Sequence, residues 1–298
     1  MNRMLDDLIK VMTLERLEID LFRGGSRDIG SPQVFGGQVL GQALVAATAT
    51  VEDRVVHSLH AYFLRRGDFN SPIVYEVDRA LDGKHFSSRR VVAIQHGRQI
   101  FNMSASFQLA ETGLDHQSPL PDVPPPESLP DVESHYREAA DRLPAAVRRV
   151  LEQKRPFEFR PVQPPDPLRQ VKSAPLKHIW FRAVDKLGDD EALHRCLLAY
   201  VSDFHLLDTA LKPHGIAMIS PRLTIASIDH AMWFHRSVRV DDWLLYSIDS
   251  PSASGARGFT RGSVFSRDGR LVASAAQEGL IRVRDGARAS EGGAPQQH

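Results

Sequence analysis

The feature that most constrains this chain is that it repeats itself. His60-Ala61-Tyr62-Phe63-Leu64-Arg65-Arg66 is echoed by His230-Ala231-Met232-Trp233-Phe234-His235-Arg236, at a shift of 170 residues. Downstream, Tyr75 matches Tyr246 at 171, Arg89 matches Arg261 at 172, and Gly97-Arg98 matches Gly269-Arg270 at 172. A shift this constant over about 40 positions is hard to obtain by chance and marks a duplication. With 298 residues the chain also has the length of two ordinary domains.

Both copies carry the same order of elements. In the first, Leu14 to Phe22 alternates apolar and polar as a half-buried strand does. Phe35 to Ala47 has apolar residues at helical spacing, and its small residues would let a helix lie close against a sheet. Strands are expected near 57–65, 72–80, 86–95 and 98–109, with His96-Gly97 turning the last hairpin. The second copy offers strands at 157–162 and 178–183 and a helix from about Asp190 through Leu211. Its further strands fall near 222–236, 242–252, 256–267 and 270–284, with a turn at Asp268-Gly269. A long helix on a curved antiparallel sheet, twice over, predicts an α+β double hotdog. The organisation follows: residues 1–110 form the first hotdog, 111–155 a proline-rich linker, and 156–285 the second hotdog. The linker holds an amphipathic helix from about Val132 to Lys154, interrupted by Pro144, and the tail at 286–298 has a disordered composition.

Several function classes are disfavoured. Thirty-seven basic residues balance 37 acidic ones, so nothing in the charge points to nucleic acid or an anionic membrane. No apolar stretch reaches the roughly 18–20 residues of a membrane span, and no stable membrane association is expected. The acidic start Met1-Asn2-Arg3-Met4-Leu5-Asp6-Asp7 does not read as a secretory signal, and Pro295-Gln296-Gln297-His298 is not a peroxisomal address; a cytoplasmic protein is the expectation. Cys196, the single cysteine, sits in an apolar run and reads as a small buried hydrophobe. There is no Gly-x-Ser-x-Gly elbow, no P-loop and no dinucleotide fingerprint. His230 and His235, five apart on a strand, face opposite ways and make poor joint metal ligands. No metal or cofactor is expected.

Three polar residues stand in apolar surroundings: Asp203 on the central helix of the second copy, Ser227 on a strand, and Gln277 near a strand end. Taken singly, each reads as an ordinary surface or strand residue. Their neighbours carry more. The segments Ala199-Tyr200-Val201-Ser202-Asp203-Phe204, Lys212-Pro213-His214-Gly215, Ser227-Ile228-Asp229-His230-Ala231-Met232-Trp233-Phe234-His235, Ser254-Gly255-Ala256-Arg257-Gly258-Phe259 and Ala276-Gln277-Glu278-Gly279 closely resemble the type II acyl-CoA thioesterases. Phe35-Gly36-Gly37-Gln38-Val39-Leu40-Gly41-Gln42-Ala43 and Phe63-Leu64-Arg65-Arg66-Gly67 resemble the same bacterial and peroxisomal double-hotdog family, so the likeness spans roughly residues 5 to 284. It implies hydrolysis of acyl-CoA by an Asp, a Thr or Ser, and a Gln, roles that fall on Asp203, Ser227 and Gln277.

Those side chains suit the chemistry. A carboxylate can take a proton from an attacking water, a contribution worth about 10²–10⁴-fold. A hydroxyl and an amide can fix the direction of attack. The oxyanion donor stays open between Gln277 and a backbone N–H at a helix start. The first copy lacks the set: Gln38 is the polar residue its helix offers against Asp203, and the shift of 172 sets Ala105 against Gln277. One active site per chain is expected. The phosphates of CoA call for a basic rim, for which Arg65, Arg66, Arg89, Arg90, Arg257 and Arg261 are candidates. Two other readings remain: a hotdog enoyl-CoA hydratase, which pairs an Asp with a His although Asp203 and His205, two apart on a helix, point about 200° apart, and a non-catalytic acyl-CoA binding module. Exposed outer sheet edges would favour a homo-oligomer.

Overall fold

The alternation read along the chain becomes strands that are antiparallel throughout and join into one sheet. The computed structural model describes residues 2–31, 33–139, 154–164 and 171–284. The first copy supplies α1 (Arg3–Met12), β1 (Glu15–Glu18), β2 (Leu21–Gly24), α2 (Gly36–Thr48), β3 (Val55–Phe63), β4 (Ile73–Asp82), β5 (Phe86–Gln95) and β6 (Arg98–Gln108). After α3 (Val132–Ala139) come β7 (Phe157–Pro161), β8 (Leu176–Ala183), α4 (Glu191–Ser202), the single turn α5 (Leu206–Thr209) and β9 (Leu223–Ser227). β10 (Asp229–Phe234), β11 (Leu244–Ser254), β12 (Arg257–Ser266) and β13 (Leu271–Val283) complete the second copy. The linker helix beyond Ala139 and the tail at 286–298 lie outside the described residues.

Strand order shows the duplication. It runs β1-β2-β4-β5-β6-β3-β10-β13-β12-β11-β8-β7, with β9 joined beside β13. From the centre outward, β3 answers β10, β6 answers β13, β5 answers β12 and β4 answers β11. β3 and β10 pair from Ser58–Trp233 to Tyr62–Asp229, so the seam between the copies is itself a hydrogen-bonded ladder. This is a double hotdog.

The central helices meet each other as well as the sheet. Ten of the 13 residues of α2 are buried, so the helix is covered nearly all round. A Cβ on Gly37 would lie 2.2 Å from the Tyr200 carbonyl oxygen, and one on Gly41 3.2 Å from that of Cys196. These glycines, four apart on one helix face, let α2 cross α4 at backbone distance. The sequence suggested close approach to the sheet; the closest approach is to the other copy's helix. Cys196 is buried in this crossing, which pushes its thiol up to about 12.

Three local expectations need correction, and one helix was not expected at all. The strand at 14–22 is a hairpin of two short strands, and β1 is exposed at every residue. An unforeseen helix, α1, precedes it; Asn2 caps it by accepting from the Met4 N–H, and Leu5, Leu8 and Met12 bury one face. The helix expected through Leu211 stops at Ser202, because His205 holds a left-handed backbone (φ 69°) that no α-helix can continue. The strand at 222–236 is cut at Ile228, where pairing to β13 passes from β9 to β10.

The repeat also slips by one residue along the middle strands. Buried Arg89 and buried Thr260 hold matching inward positions at a shift of 171, whereas Arg261, its sequence match, is exposed. A one-residue change of register moves a strand residue to the opposite face. By the same rule Leu59 answers His230, and Ala105 answers Gln277 beyond the hairpin at 172.

The linker packs on the outer face of the second copy's strands. Leu120, Val123 and Leu129 join Trp180, Trp243, Leu245 and Phe265 in a separate small core. The Trp180 indole donates to the Pro124 carbonyl at 3.0 Å, and Arg267 pairs with Glu127. Among the described residues no helix is long and apolar enough to cross a membrane.

Candidate active site

Asp203, Ser227 and Gln277 come from three different elements and meet at one point. Asp203 follows the last turn of α4, and the left-handed turn at His205 ends the helix just beyond it. Ser227 is the last residue of β9, opposite Gly279. Gln277 lies on β13 where β9 hands over to β10, so its other ladder partner is Thr260 on β12. Gln277 Nε2 donates to Asp203 Oδ1 at 2.6 Å and lies 3.1 Å from Ser227 Oγ. Ser227 Oγ donates to the same carboxylate oxygen at 3.4 Å.

The first copy completes the surroundings of Asp203. The backbone N–H of Gly37, in the first turn of α2, donates to its carboxylate. A Cβ on Gly36 would sit 2.8 Å from Asp203 Oδ2, so the helix start needs glycine there. The α2 start has no side-chain cap of its own, and its partial positive charge favours an anion. The first copy, which lacks an Asp–Ser–Gln set of its own, therefore still contributes to the surroundings of this one. Its helix start faces the carboxylate directly.

Burial decides how Asp203 titrates. Its side chain is 5% exposed, and desolvation pushes the carboxyl up to about 6, against the pull of Gln277, Gly37 and Ser227, which favour the anion. His230 Nδ1 lies 4.0 Å from Asp203 Oδ1, but burial holds the ring down to about 3, so the pair is not ionic. His205 turns the other way, with Nδ1 3.1 Å from Lys177 Nζ, and is no partner for Asp203.

A cavity of about 210 Å³ opens at Ser227, walled by Gly36, Val39, Phe63 and Phe101, with Arg65 and Arg66 among its lining. A larger cleft of about 700 Å³ lies elsewhere; its charges are ion-paired, as in Arg239–Asp189 and Lys186–Asp242, and it contains none of the three residues.

The arginines separate into three groups. Arg65 and Arg66 are exposed beside the cavity. Arg257 and Arg261 are exposed, paired with Glu278 and Asp249, and do not line it; Arg90 is exposed as well. Arg89 is the clear correction. It is 1% exposed, and its five N–H donors go to Thr50 Oγ1, the Thr50, Leu81 and Ser88 carbonyls, and Asp82. No donor remains for a phosphate. Gln38 also changes role: it lies in the first turn of α2 and holds the Arg27 N–H, whereas Ala49 follows α2 as Asp203 follows α4. Arg89, beside Thr50, thus fills the space in the first copy that corresponds to the candidate site. Arg89→Met is expected to cost about 2 kcal/mol of stability by leaving buried carbonyls without donors, with the KM for acyl-CoA unchanged. Urea unfolding and steady-state kinetics check it; a raised KM at full stability would return Arg89 to the substrate.

Comparison with known proteins shows the family. Residues 150–280 match the family model described as acyl-CoA thioesterase, and residues 23–108 that of the acyl-CoA thioesterase N-terminal domain. The chain is 42% identical over 286 residues to acyl-CoA thioesterase 2 of Haemophilus influenzae, covering 96% of this chain and 100% of the relative. The chain belongs to the type II acyl-CoA thioesterase family. Human acyl-coenzyme A thioesterase 8 is 44% identical over 284 residues, covering 92% of this chain and 88% of the relative. An acyl-CoA thioesterase II from Mycobacterium marinum superposes with a TM-score of 0.75 at 41% identity, over 94% of this chain and 99% of that one. A hot dog fold protein from Alicyclobacillus acidocaldarius has a TM-score of 0.74 at 18% identity, which speaks to the fold alone.

What the sequence alone did not place in this thioesterase is the Gly36-Gly37 helix start against Asp203, and the buried pair Ser202 and His230. The paired glycines at the head of an apolar helix were the available signal for the first. Nothing local distinguishes the second.

Proposed function

We propose that this chain hydrolyses fatty acyl-CoA thioesters to free fatty acid and CoA, by direct attack of a water held and activated by Asp203, Ser227 and Gln277. The contact that carries the reading is Gln277 Nε2 on Asp203 Oδ1, a buried amide on a buried carboxylate beside a cavity. A base is most effective when its pKa lies near the working pH, and Asp203, raised to about 6, meets that condition. As water attacks the carbonyl carbon, Asp203 takes its proton and the carbonyl oxygen becomes an oxyanion. The Gly36 N–H, first in α2 and without an acceptor earlier in the helix, is the donor best placed for that charge. Collapse breaks the C–S bond and releases CoA thiolate, which the proton on Asp203 can neutralise. The apolar cavity wall would hold part of the acyl chain at about 0.8 kcal/mol per buried CH₂, and Arg65 and Arg66 would meet the CoA phosphates.

The test is release of free thiol from a series of saturated acyl-CoAs between about pH 5 and pH 9. Asp203 must be ionised to act, so kcat/KM should climb along a one-proton limb centred near 6 and level off above it. Binding of acyl-CoA without thiol release would overturn the proposal in favour of a binding module. Hydration of an enoyl-CoA without thiol release would favour a hydratase.

A further inference from the structure

Behind the three site residues lies a polar pair that the hydrolytic step does not touch. His230 on β10 is 0% exposed and Ser202, in the last turn of α4, is 1% exposed. Gln277 Nε2 lies 3.2 Å from His230 Nδ1, and His230 Nε2 lies 2.9 Å from Ser202 Oγ. Ser202 Oγ is 2.9 Å from the Ala199 carbonyl and 3.1 Å from Met232 Sδ, both of which can only accept. A hydroxyl has a single proton, and the two acceptors beside Ser202 Oγ favour spending it there rather than on His230. Ser202 donates to one of those acceptors, so it receives the His230 Nε2–H, and His230 Nδ1 is left bare to accept from Gln277.

We propose that His230 and Ser202 are positioning residues that hold the Gln277 amide in its working orientation by fixing the imidazole tautomer. The proposal rests on reading Asp203, Ser227 and Gln277 as the hydrolytic site. A carboxamide has two ends of nearly equal shape and opposite polarity. With Nδ1 accepting, one Gln277 N–H goes to His230 and the other to Asp203 Oδ1. Gln277 Oε1, buried and without a protein partner, then stands as an acceptor for an O–H of the attacking water. In the other tautomer, Nδ1–H would face an amide N–H, donor against donor. The amide would turn over and set Oε1 against the Asp203 carboxylate, a contact tolerable only when Asp203 is protonated.

Loss of the pair should therefore move the titration of Asp203 upward, which a packing role would not do. The titratable side chains facing Asp203 are His230 on β10 and Tyr246 on β11, whose hydroxyl donates to the Ser202 carbonyl. Burial keeps both neutral across the working range. From α2 come Gly36 and Gly37, from β9 Ser227, and His205 faces Lys177 and Asp208.

The experiment is a set of pH–rate profiles for thiol release by the full chain, comparing wild type with Ser202→Ala, His230→Phe, His230→Asn and Asp203→Asn, each checked for folding by thermal melting. Ser202→Ala is expected to lower kcat about tenfold at little change in KM and to move the acid limb up by about one pH unit. His230→Phe should do the same or more. His230→Asn, whose Oδ1 can accept where Nδ1 does, should keep the limb near its wild-type position. If His230→Phe does not fold, Ser202→Ala decides. An unmoved acid limb in folded Ser202→Ala, with Asp203→Asn inactive, overturns the positioning role and leaves the site reading standing. Full activity in Asp203→Asn overturns the site reading instead.

Discussion

Asp203→Asn is expected to lower kcat by about 10²–10⁴-fold, the usual worth of a positioned general base, without loss of the fold. Asparagine keeps the shape of the side chain and one oxygen that can accept from Gln277 Nε2 or the Gly37 N–H, but it cannot take a proton from water. Stability should move the other way. Burial raises the folded-state carboxyl from 3.8 to about 6, so the folded chain binds this proton more tightly than the unfolded one does. The resulting stabilisation is fully present below pH 3.8 and is lost as pH rises through about 6. Above that the ionised carboxylate costs the fold about 3 kcal/mol relative to its protonated form, from roughly two units of displacement at 1.36 kcal/mol each. The amide variant does not titrate. Its Tm should match or exceed that of wild type at pH 8, with the difference shrinking toward pH 4. Saturating turnover together with melts at both pH values checks both halves. A variant that turns over like wild type, or that melts well below it at pH 8, would show that Asp203 is a structural carboxylate.

Gly37→Ala should destabilise the chain by about 3 kcal/mol, toward the upper end for an overpacked site. The added carbon would lie 2.2 Å from the Tyr200 carbonyl oxygen and 2.5 Å from a Phe35 ring carbon. One obstacle is backbone of the facing helix, which no rotamer change can move. Relief requires α2 to shift away from α4, and that shift carries the Gly37 N–H off the Asp203 carboxylate. The folded fraction should therefore also lose activity, and its acid limb should rise. Gly25→Ala is the control, since a Cβ there meets nothing within 4 Å and its backbone suits any residue. Denaturant midpoints of the two variants make the comparison. Equal midpoints would mean that the helices are not in backbone contact.

Much of the framework was legible in the sequence because strands advertise themselves by alternation. β3 to β6 and β11 to β13 fall within about two residues of where period-two patterning puts them. The hairpin turns at His96-Gly97 and Asp268-Gly269 were legible for the same local reason, a residue free to adopt positive φ. α1 was legible too and went unread: Asn2 is a good cap and Leu5, Leu8, Ile9 and Met12 keep helical spacing. The break after Ser202 was not legible, because no glycine or proline marks it. His205 is held left-handed among Phe159, Phe204, Lys177 and Asp208, all tertiary neighbours or the turn they shape.

What the sequence by itself determined was the duplication, the order of strands and helices, and, through likeness to a family, the residue types Asp203, Ser227 and Gln277. Only the tertiary structure decided which face each of those residues occupies and what surrounds it. Arg89 and Arg261 match in sequence, yet one is buried in the first copy's counterpart of the site and the other is exposed on the sheet. One residue of register decided between them. Asp203 meets an amide 74 residues away and a helix start from the other half of the chain, and together with burial these set its titration. Alternation and capping are properties of neighbours along the chain. Desolvation and long-range hydrogen bonds depend on how two copies pack across a seam, and that packing exists only once both have folded.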